Sequence, residues 1–233
     1  MAKVIGYCTT RYDKKLGKIE HYQRYPQMMP FVGEDYDGKT HFKVLLIAES
    51  HYFPSCSSKH KDTNAWYDGY TDLSDTEKSW INNRGGIKSG KDQHWKSKGH
   101  AIYRNIEKAM IEAGFPKREN MFSYVAYMNC FQRPAMKGDS IRNVMEDLDK
   151  EKSKQVLEGV VHAIKPDYIC FVSSFAWHTI GKHMEFNGLK EDPMHTPHPA
   201  CCWWHRKSKK GKGKIVFKKF MRGTLLNHKP KSR

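Results

Sequence analysis

Four apolar runs along an otherwise polar chain predict buried β-strands. They are Val44–Ala48, Phe122–Met128, Tyr168–Val172 and the shorter Met194–Thr196. The first and third runs are almost free of polar residues, which is typical of strands that are covered on both faces in a parallel sheet. The chain is therefore expected to contain a four-stranded, mostly parallel sheet.

Segments with helical periodicity lie between and after these runs. Ala101–Ala113 places its apolar residues on one stripe, and Gly114 and Pro116 then end the helix. The other predicted helices are a stretch that opens at Ser140, a stretch from Val156 to Ile164, Phe175–Ile180 capped by Ser173 and Ser174, and Ile215–Met221. Alternating strands and helices predict an α/β fold with three layers, α/β/α, around the sheet.

Residues 55 to 99 follow no regular pattern. The segment is rich in Gly, Lys, Asp, Asn and Trp, and it is expected to form a long insertion or lid, because loops of this length are usually functional. The chain contains neither internal repeats nor a clear linker. Residues 1–233 are therefore expected to form one domain that carries this insertion and a basic tail from about residue 205 to residue 233.

Charge adds a strong signal to this picture. The 233 residues include 41 Lys and Arg against 25 Asp and Glu, which gives a formal net charge of +16. Residues 205–214, HRKSKKGKGK, combine many cations with no acidic residue. Clustered cations beside aromatic residues indicate contact with nucleic acid, although an anionic small molecule or simple solubility would also account for the charge.

Membrane, secreted and metal-binding classes are not indicated. No stretch approaches the roughly 18 apolar residues that cross a bilayer, and the N-terminal residues lack the apolar run of a secretory signal, so a cytoplasmic protein without a membrane partner is expected. The six cysteines lack C-x-x-C spacing and are expected to be mainly buried small side chains. The stretch HTPHPACCWWH could be read as zinc ligands, but adjacent cysteines fit a tetrahedral site poorly, so neither a metal nor a cofactor is predicted.

Polar side chains follow each predicted strand. In open α/β sheets, ligands bind outside the carboxyl ends of the strands, so these side chains are candidates for one site. They are Glu49, Ser50, His51 and Tyr52 after the first strand, Asn129 after the second, Ser173 and Ser174 after the third, and His195 and His198 after the fourth. Each has an ordinary structural alternative as a helix cap, an ion-pair partner or a turn residue.

The same residues carry a resemblance to a known family. LLIAESHYFP, YMNCFQRP, PDYICFVSSFAWHTI and His198-Pro199-Ala200 resemble, in this order, the motifs of the uracil-DNA glycosylase superfamily between Lys43 and about Met221. Ser50 stands where the classical branch has its catalytic Asp, and His51 replaces a small turn residue. In the branch that uses a glutamate, Glu49 would be the catalytic carboxylate. That branch also holds an iron–sulfur cluster, but this chain has no suitable cysteine pair near its start, so no cluster is expected.

The resemblance implies a DNA glycosylase that removes uracil or a related damaged base from single- or double-stranded DNA; a monomer is expected. Glu49 would stabilise the oxocarbenium-like sugar and orient water, and His198 would stabilise the leaving base. The substrate-binding candidates are Ser50, His51, Tyr52, Phe53, Asn129 and Ser173, of which Asn129 would read the base edge and Tyr52 or Phe53 would stack on it. The DNA-binding candidates are Trp203 and Trp204 as wedges and Arg206, Lys207, Lys209 and Lys210 as phosphate contacts.

Two other functions fit the same sequence. The chain could be a catalytically weak relative that only binds nucleic acid, because Ser50 occupies the position of the classical acid. It could also be an α/β enzyme that processes small nucleosides or nucleotides, against which the basic tail argues.

Overall fold

The computed structural model of the protein describes residues 4–5, 7–208 and 211–226. The described strands are β1 (Val4–Ile5), β2 (Cys8–Thr9), β3 (Phe31–Val32), β4 (Val44–Phe53), β5 (Ala126–Met136), β6 (Tyr168–Phe171) and β7 (Met194–His195). The described α-helices are α1 (Asp13–Leu16), α2 (Glu20–Arg24), α3 (Thr63–Asp68), α4 (Asp75–Trp80), α5 (Asn83–Asp92), α6 (Ala101–Ala113), α7 (Asp147–Ile164), α8 (Ser174–Thr179) and α9 (Gly213–Gly223). This is an α/β protein.

The main sheet has five strands in the order β3-β5-β4-β6-β7. The pairs β5-β4, β4-β6 and β6-β7 are parallel, and only β3 runs antiparallel at one edge. The four predicted strands form the parallel part of this sheet, so the prediction of a mostly parallel sheet is confirmed. The fifth strand was not predicted, because two residues are too few to produce a periodic signal.

Both faces of the sheet are covered by helices. Along the central strand β4, Leu45 and Ile47 belong to the core that contains Leu157 of α7. The alternate residue Leu46 belongs to the opposite core, with Ile106 of α6. Because successive side chains of a strand point to opposite faces, this division places the sheet between two helical layers.

The predicted boundaries of two elements are wrong. The second strand begins at Ala126 rather than Phe122, since Met121–Tyr124 form a short 3₁₀ helix whose first turn is capped by the side chain of Asn120. Ser140 likewise caps only a 3₁₀ helix over Ile141–Asn143, and α7 begins later, at Asp147. In both places a side-chain cap creates a local turn that the apolar pattern does not reveal.

Residues 55–99 contain three α-helices and are well packed, which corrects the expectation that the segment has no regular structure. The helices α3, α4 and α5 each begin with a side-chain cap, from Asp62, Ser74 and Asn82. Trp66 of α3 is fully buried and stacks on Tyr25 with ring centroids 4.3 Å apart. The segment therefore contributes to the core beside β5 as well as to the molecular surface.

Membrane-spanning segments and cysteine burial are the subjects of two further expectations. Within the described residues, no helix is both long and apolar enough to cross a membrane. Three cysteines, Cys8, Cys130 and Cys170, are buried as expected, whereas Cys56 and Cys202 are exposed.

Candidate functional site

The strand register brings the predicted polar side chains together at the carboxyl edge of the sheet. Ala48 of β4 lies opposite Asn129 of β5, so Glu49 follows directly beside the Asn129 position. A cavity of about 320 Å³ opens there. Six of the predicted site residues line it: Glu49, Ser50, His51, Tyr52, Asn129 and His198. An acid from the first third of the chain and an imidazole from its last fifth thus share one cavity.

Glu49 is held in place from behind. Its Oε2 accepts a hydrogen bond of 2.7 Å from Oγ of Ser173, and Nη2 of Arg142 lies 3.4 Å from the same oxygen. Its Oε1 accepts no hydrogen bond from the described part of the chain. The carboxylate therefore has one oxygen anchored by the protein and one available to a ligand.

Ser173 does not contact the cavity, which corrects its predicted role in binding substrate. It is fully buried, and its Oγ also accepts a 3.2 Å hydrogen bond from the backbone N–H of Ala176 as the N-cap of α8. One hydroxyl thus caps a helix and orients Glu49. We assign Ser173 a positioning role.

Arg142 is a site residue that the sequence did not reveal. It belongs to the 3₁₀ helix Ile141–Asn143 after β5, its side chain is 54% exposed, and its guanidinium lies 4.3 Å from the ring centroid of Phe175. An exposed cation in a short turn gives no periodic signal, and the fold brings it beside Glu49. Because the side chain is half exposed, part of the guanidinium is available to an anionic ligand.

His198 is electrostatically coupled to Glu49. Burial lowers the pKa of His198 below its ordinary value, the nearby Glu49 carboxylate partly offsets this, and Arg142 lowers the pKa further. The imidazole is therefore neutral at neutral pH. Because Nδ1 accepts a 3.2 Å hydrogen bond from the backbone N–H of Ala200, the proton resides on Nε2, and His198 can donate from that nitrogen.

Asn129 is oriented by a chain of side-chain hydrogen bonds. Nδ2 of Asn83 donates to the carbonyl oxygen of Met28 at 2.8 Å, so the Oδ1 of Asn83 must accept. It accepts from Nδ2 of Asn129 at 3.3 Å, and the same Nδ2 lies 3.2 Å from Nδ1 of His51. Burial lowers the pKa of His51 to about 3, so this ring is neutral and can accept.

This chain restricts what Asn129 offers to a ligand. Both amide hydrogens are engaged by Asn83 and His51, while Oδ1 has no donor among the described residues. An unrestrained Asn side chain can both donate and accept when it reads a base edge. In the folded chain Asn129 presents an acceptor, and it therefore suits an N–H group on a ligand.

Ser50 and Tyr52 complete the polar and aromatic lining near Glu49. Oγ of Ser50 is buried, and its side chain is a hydrogen-bond partner of the Tyr52 hydroxyl. Tyr52 is 39% exposed at the rim; burial of the rest of the ring and the charge of Glu49 raise the pKa of its hydroxyl, and the hydrogen bond with Ser50 partly offsets this rise. A ligand entering the cavity would meet a flat aromatic face and two neighbouring hydroxyls.

Several other lining residues were missed. They come from the 55–99 segment and from α6 and β5: Trp80, Asn83, Lys98, Tyr103 and Tyr127. The rings of Tyr103 and Tyr127 lie 5.4 Å apart and form an aromatic wall. The tryptophans and lysines of the segment were a usable signal, but its helices could not be placed against the strand ends from the sequence.

Comparisons with known proteins add no identification. No family model, no curated protein and no solved structure matches this chain.

Three predicted contacts are placed elsewhere by the fold. Phe53 is fully buried in the core, where its ring meets Trp66 edge to face at 5.5 Å, because the strand alternation turns it away from the side of Tyr52. Trp204 is also fully buried, against Phe217 of α9, and cannot act as a wedge. His195 stacks on Trp177 and lines a different cavity.

The remaining DNA-binding candidates lie on the surface or outside the described residues. Trp203 is 51% exposed, and Arg206 and Lys207 are exposed beside it. Lys209 and Lys210 fall outside the described residues. The exposed aromatic and cationic side chains are thus adjacent, a few residues beyond His198.

Proposed function

We propose that the cavity receives a nucleobase extruded from DNA and that the chain hydrolyses the N-glycosidic bond of that base, with uracil or a related damaged base as the substrate. The observation that carries the proposal is the shared cavity of Glu49 and His198. Its volume of about 320 Å³ lies at the lower end of ordinary ligand pockets and suits a single nucleoside rather than a larger cofactor.

Glu49 supplies the charge that the reaction needs. As the bond between C1′ and the base nitrogen breaks, the sugar becomes oxocarbenium-like, and a fixed carboxylate beside it stabilises the positive charge. The oxygen of a water molecule then forms the new bond to C1′, and the proton that this water loses passes to Oε1 of Glu49. Ser173 and Arg142 hold Oε2 while this happens.

His198 acts on the other product of the cleavage. The base leaves with the bonding electron pair, and the negative charge gathers on its carbonyl oxygen. A neutral imidazole that donates from Nε2 stabilises this anion, and a preorganised donor of this kind typically contributes about 3 kcal/mol. Glu49 then releases the proton it took from water and the base anion takes up one proton, so that the sugar hydroxyl and the free base are the products.

The remaining lining favours a base that carries an imide N–H. Oδ1 of Asn129 accepts from such a group, and the ring of Tyr52 stacks on the flat heterocycle. Uracil has an N–H between two carbonyl groups, whereas cytosine presents an unprotonated nitrogen there. The sequence resemblance to the uracil-DNA glycosylase superfamily and the net charge of +16 point to the same substrate class.

The test is an excision assay on single- and double-stranded oligonucleotides that contain one uracil, with abasic sites detected by alkaline cleavage. Glu49→Gln should reduce the rate by at least about 100-fold while binding to the same oligonucleotide stays within about two-fold. Glu185→Gln, an exposed substitution of the same type, is the control. Absence of excision by the unmodified protein on every uracil substrate would refute the proposal; binding without cleavage would leave a nucleic-acid-binding protein.

A further inference from the structure

A second, larger cavity lies next to the first along the carboxyl edge of the sheet. Its volume is about 650 Å³, and it is lined by residues that include Ser174, His178, His195, Pro197, Trp203 and Lys207. Pro197 lines this cavity, and the next residue, His198, lines the first. The two cavities therefore adjoin the same short segment after β7.

The wall of the second cavity is built from flat rings. His195 stacks on Trp177 with an interplanar angle of 16° and a centroid distance of 5.6 Å, and His178 contacts His195 at 5.1 Å. Trp203 is 51% exposed, which is unusual for the largest apolar side chain. Its face is available to a planar ligand.

The charge around this cavity selects an anionic ligand. Lys207 lines it, Arg206 is exposed next to it, and no Asp or Glu belongs to its lining in the described part of the chain. A nucleotide combines a planar base with an anionic phosphate, so it fits a lining of aromatic and cationic side chains. Aromatic side chains and cations that alternate along a groove are typical of proteins that bind single-stranded nucleic acid.

We propose that the second cavity binds one nucleotide of a single strand, adjacent to the nucleotide whose base enters the first cavity. Trp203 stacks on the flanking base, and Lys207 pairs with its phosphate. The placement of this nucleotide rests on the proposed function. Since a base that is paired within a duplex cannot reach such a cavity, the protein should prefer single-stranded DNA, in contrast to the duplex wedge expected for Trp203 from the sequence.

Binding to an oligothymidylate of about 12 nucleotides without uracil tests this independently of excision. Fluorescence anisotropy of the labelled strand should show that Trp203→Ala weakens binding by about 5- to 150-fold, as expected for the loss of one stacked base. The apolar control Ile111→Ala, on the exposed side of α6, should bind within about two-fold of the unmodified protein. Trp203→Ala should weaken binding to a perfectly paired duplex much less than binding to the single strand.

Lys207 is tested through the salt dependence of the same binding. Lys207→Ala should reduce the slope of log affinity against log salt by about 0.7, the value for one phosphate contact on a single strand. Lys14→Ala, an exposed lysine on α1, should leave the slope unchanged.

The outcomes separate the two proposals. If the unmodified protein excises uracil but Trp203→Ala keeps the same affinity for oligothymidylate, the second cavity is not a nucleotide site, while the glycosylase proposal is supported. Binding that depends on Trp203, without excision of any uracil, supports the second cavity as a nucleotide site and refutes the glycosylase. An equal loss of affinity for duplex and single strand in Trp203→Ala also overturns the second cavity.

Discussion

Replacing Asp149 by Asn should destabilise the protein severely, because it breaks a buried ion pair. The side chains of Arg133 and Asp149 are 1% and 0% exposed. Nε and Nη2 of Arg133 donate to the two carboxylate oxygens at 2.9 and 2.6 Å. The other donors of Arg133 reach the carbonyl oxygens of His60 and Val144, and Tyr67 donates to Asp149 at 2.9 Å.

The magnitude follows from the loss of one charge in a dry environment. Asparagine has nearly the same shape as aspartate, but it leaves the Arg133 guanidinium buried without this counter-ion. Its amide N–H groups would also meet the donors of Arg133 and Tyr67. Breaking a buried pair in this way costs about 3–5 kcal/mol. In a protein of this size each kcal/mol corresponds to about 2–4 °C, so Tm should fall by about 6–20 °C.

Thermal unfolding followed by circular dichroism measures this shift. The control is Asp147→Asn in the first turn of the same helix, where the carboxylate is exposed and pairs with Lys150 at 2.8 Å. It should change Tm far less than Asp149→Asn. A Tm for Asp149→Asn within about 2 °C of the unmodified protein would show that the pair contributes no net stability and that the reasoning is wrong.

Two other predictions concern stability. Trp204→Ala should lower the free energy of unfolding in urea by about 3–5 kcal/mol, because the ring is fully buried. Replacement of the exposed Trp203 by Ala should lower it by less than about 0.5 kcal/mol. Similar losses for the two variants would contradict the assignment of one ring to the core and the other to the surface. Burial lowers the pKa of both His21 and His51 to about 3, so the unfolded chain binds protons that the folded chain excludes. Between about pH 7.5 and pH 5.5, these two histidines should therefore lower the stability by about 1.4 kcal/mol each, and His21→Phe should reduce the total loss measured in urea titrations by about 1.4 kcal/mol.

The parallel part of the sheet was predictable from the sequence because its strands are continuous apolar runs. Leu45 and Ile47 pack in the core on one face of the sheet, and Leu46 packs in the core on the other. Burial on both faces therefore requires consecutive apolar residues, which are visible in the sequence. The edge strand Phe31–Val32 and the helices of the 55–99 segment were not predictable. They depend on side-chain caps and on contacts with β5, neither of which produces a hydrophobic period.

The site was predictable only where its residues follow a strand. Glu49 and Asn129 could be expected at one edge because parallel strands end together. Asn83 and Lys98, which line the cavity, and Arg142, which pairs with Glu49, belong to other elements whose approach to that edge is decided by tertiary packing. The alternation of the strand also decides between neighbours, since Tyr52 lies at the rim while Phe53 is in the core.

The hydrogen-bond balance distinguishes the cavity from the other polar cluster of the protein. Arg133 and Asp149 satisfy each other and their surroundings, as expected of a group that serves only the fold. At the cavity, Oδ1 of Asn129 and Oε1 of Glu49 accept no hydrogen bond from the described residues. Unpaired polar atoms also occur elsewhere among the described residues, but these two acceptors belong to side chains that line one cavity. Both acceptors are therefore available to a ligand that supplies N–H or O–H donors.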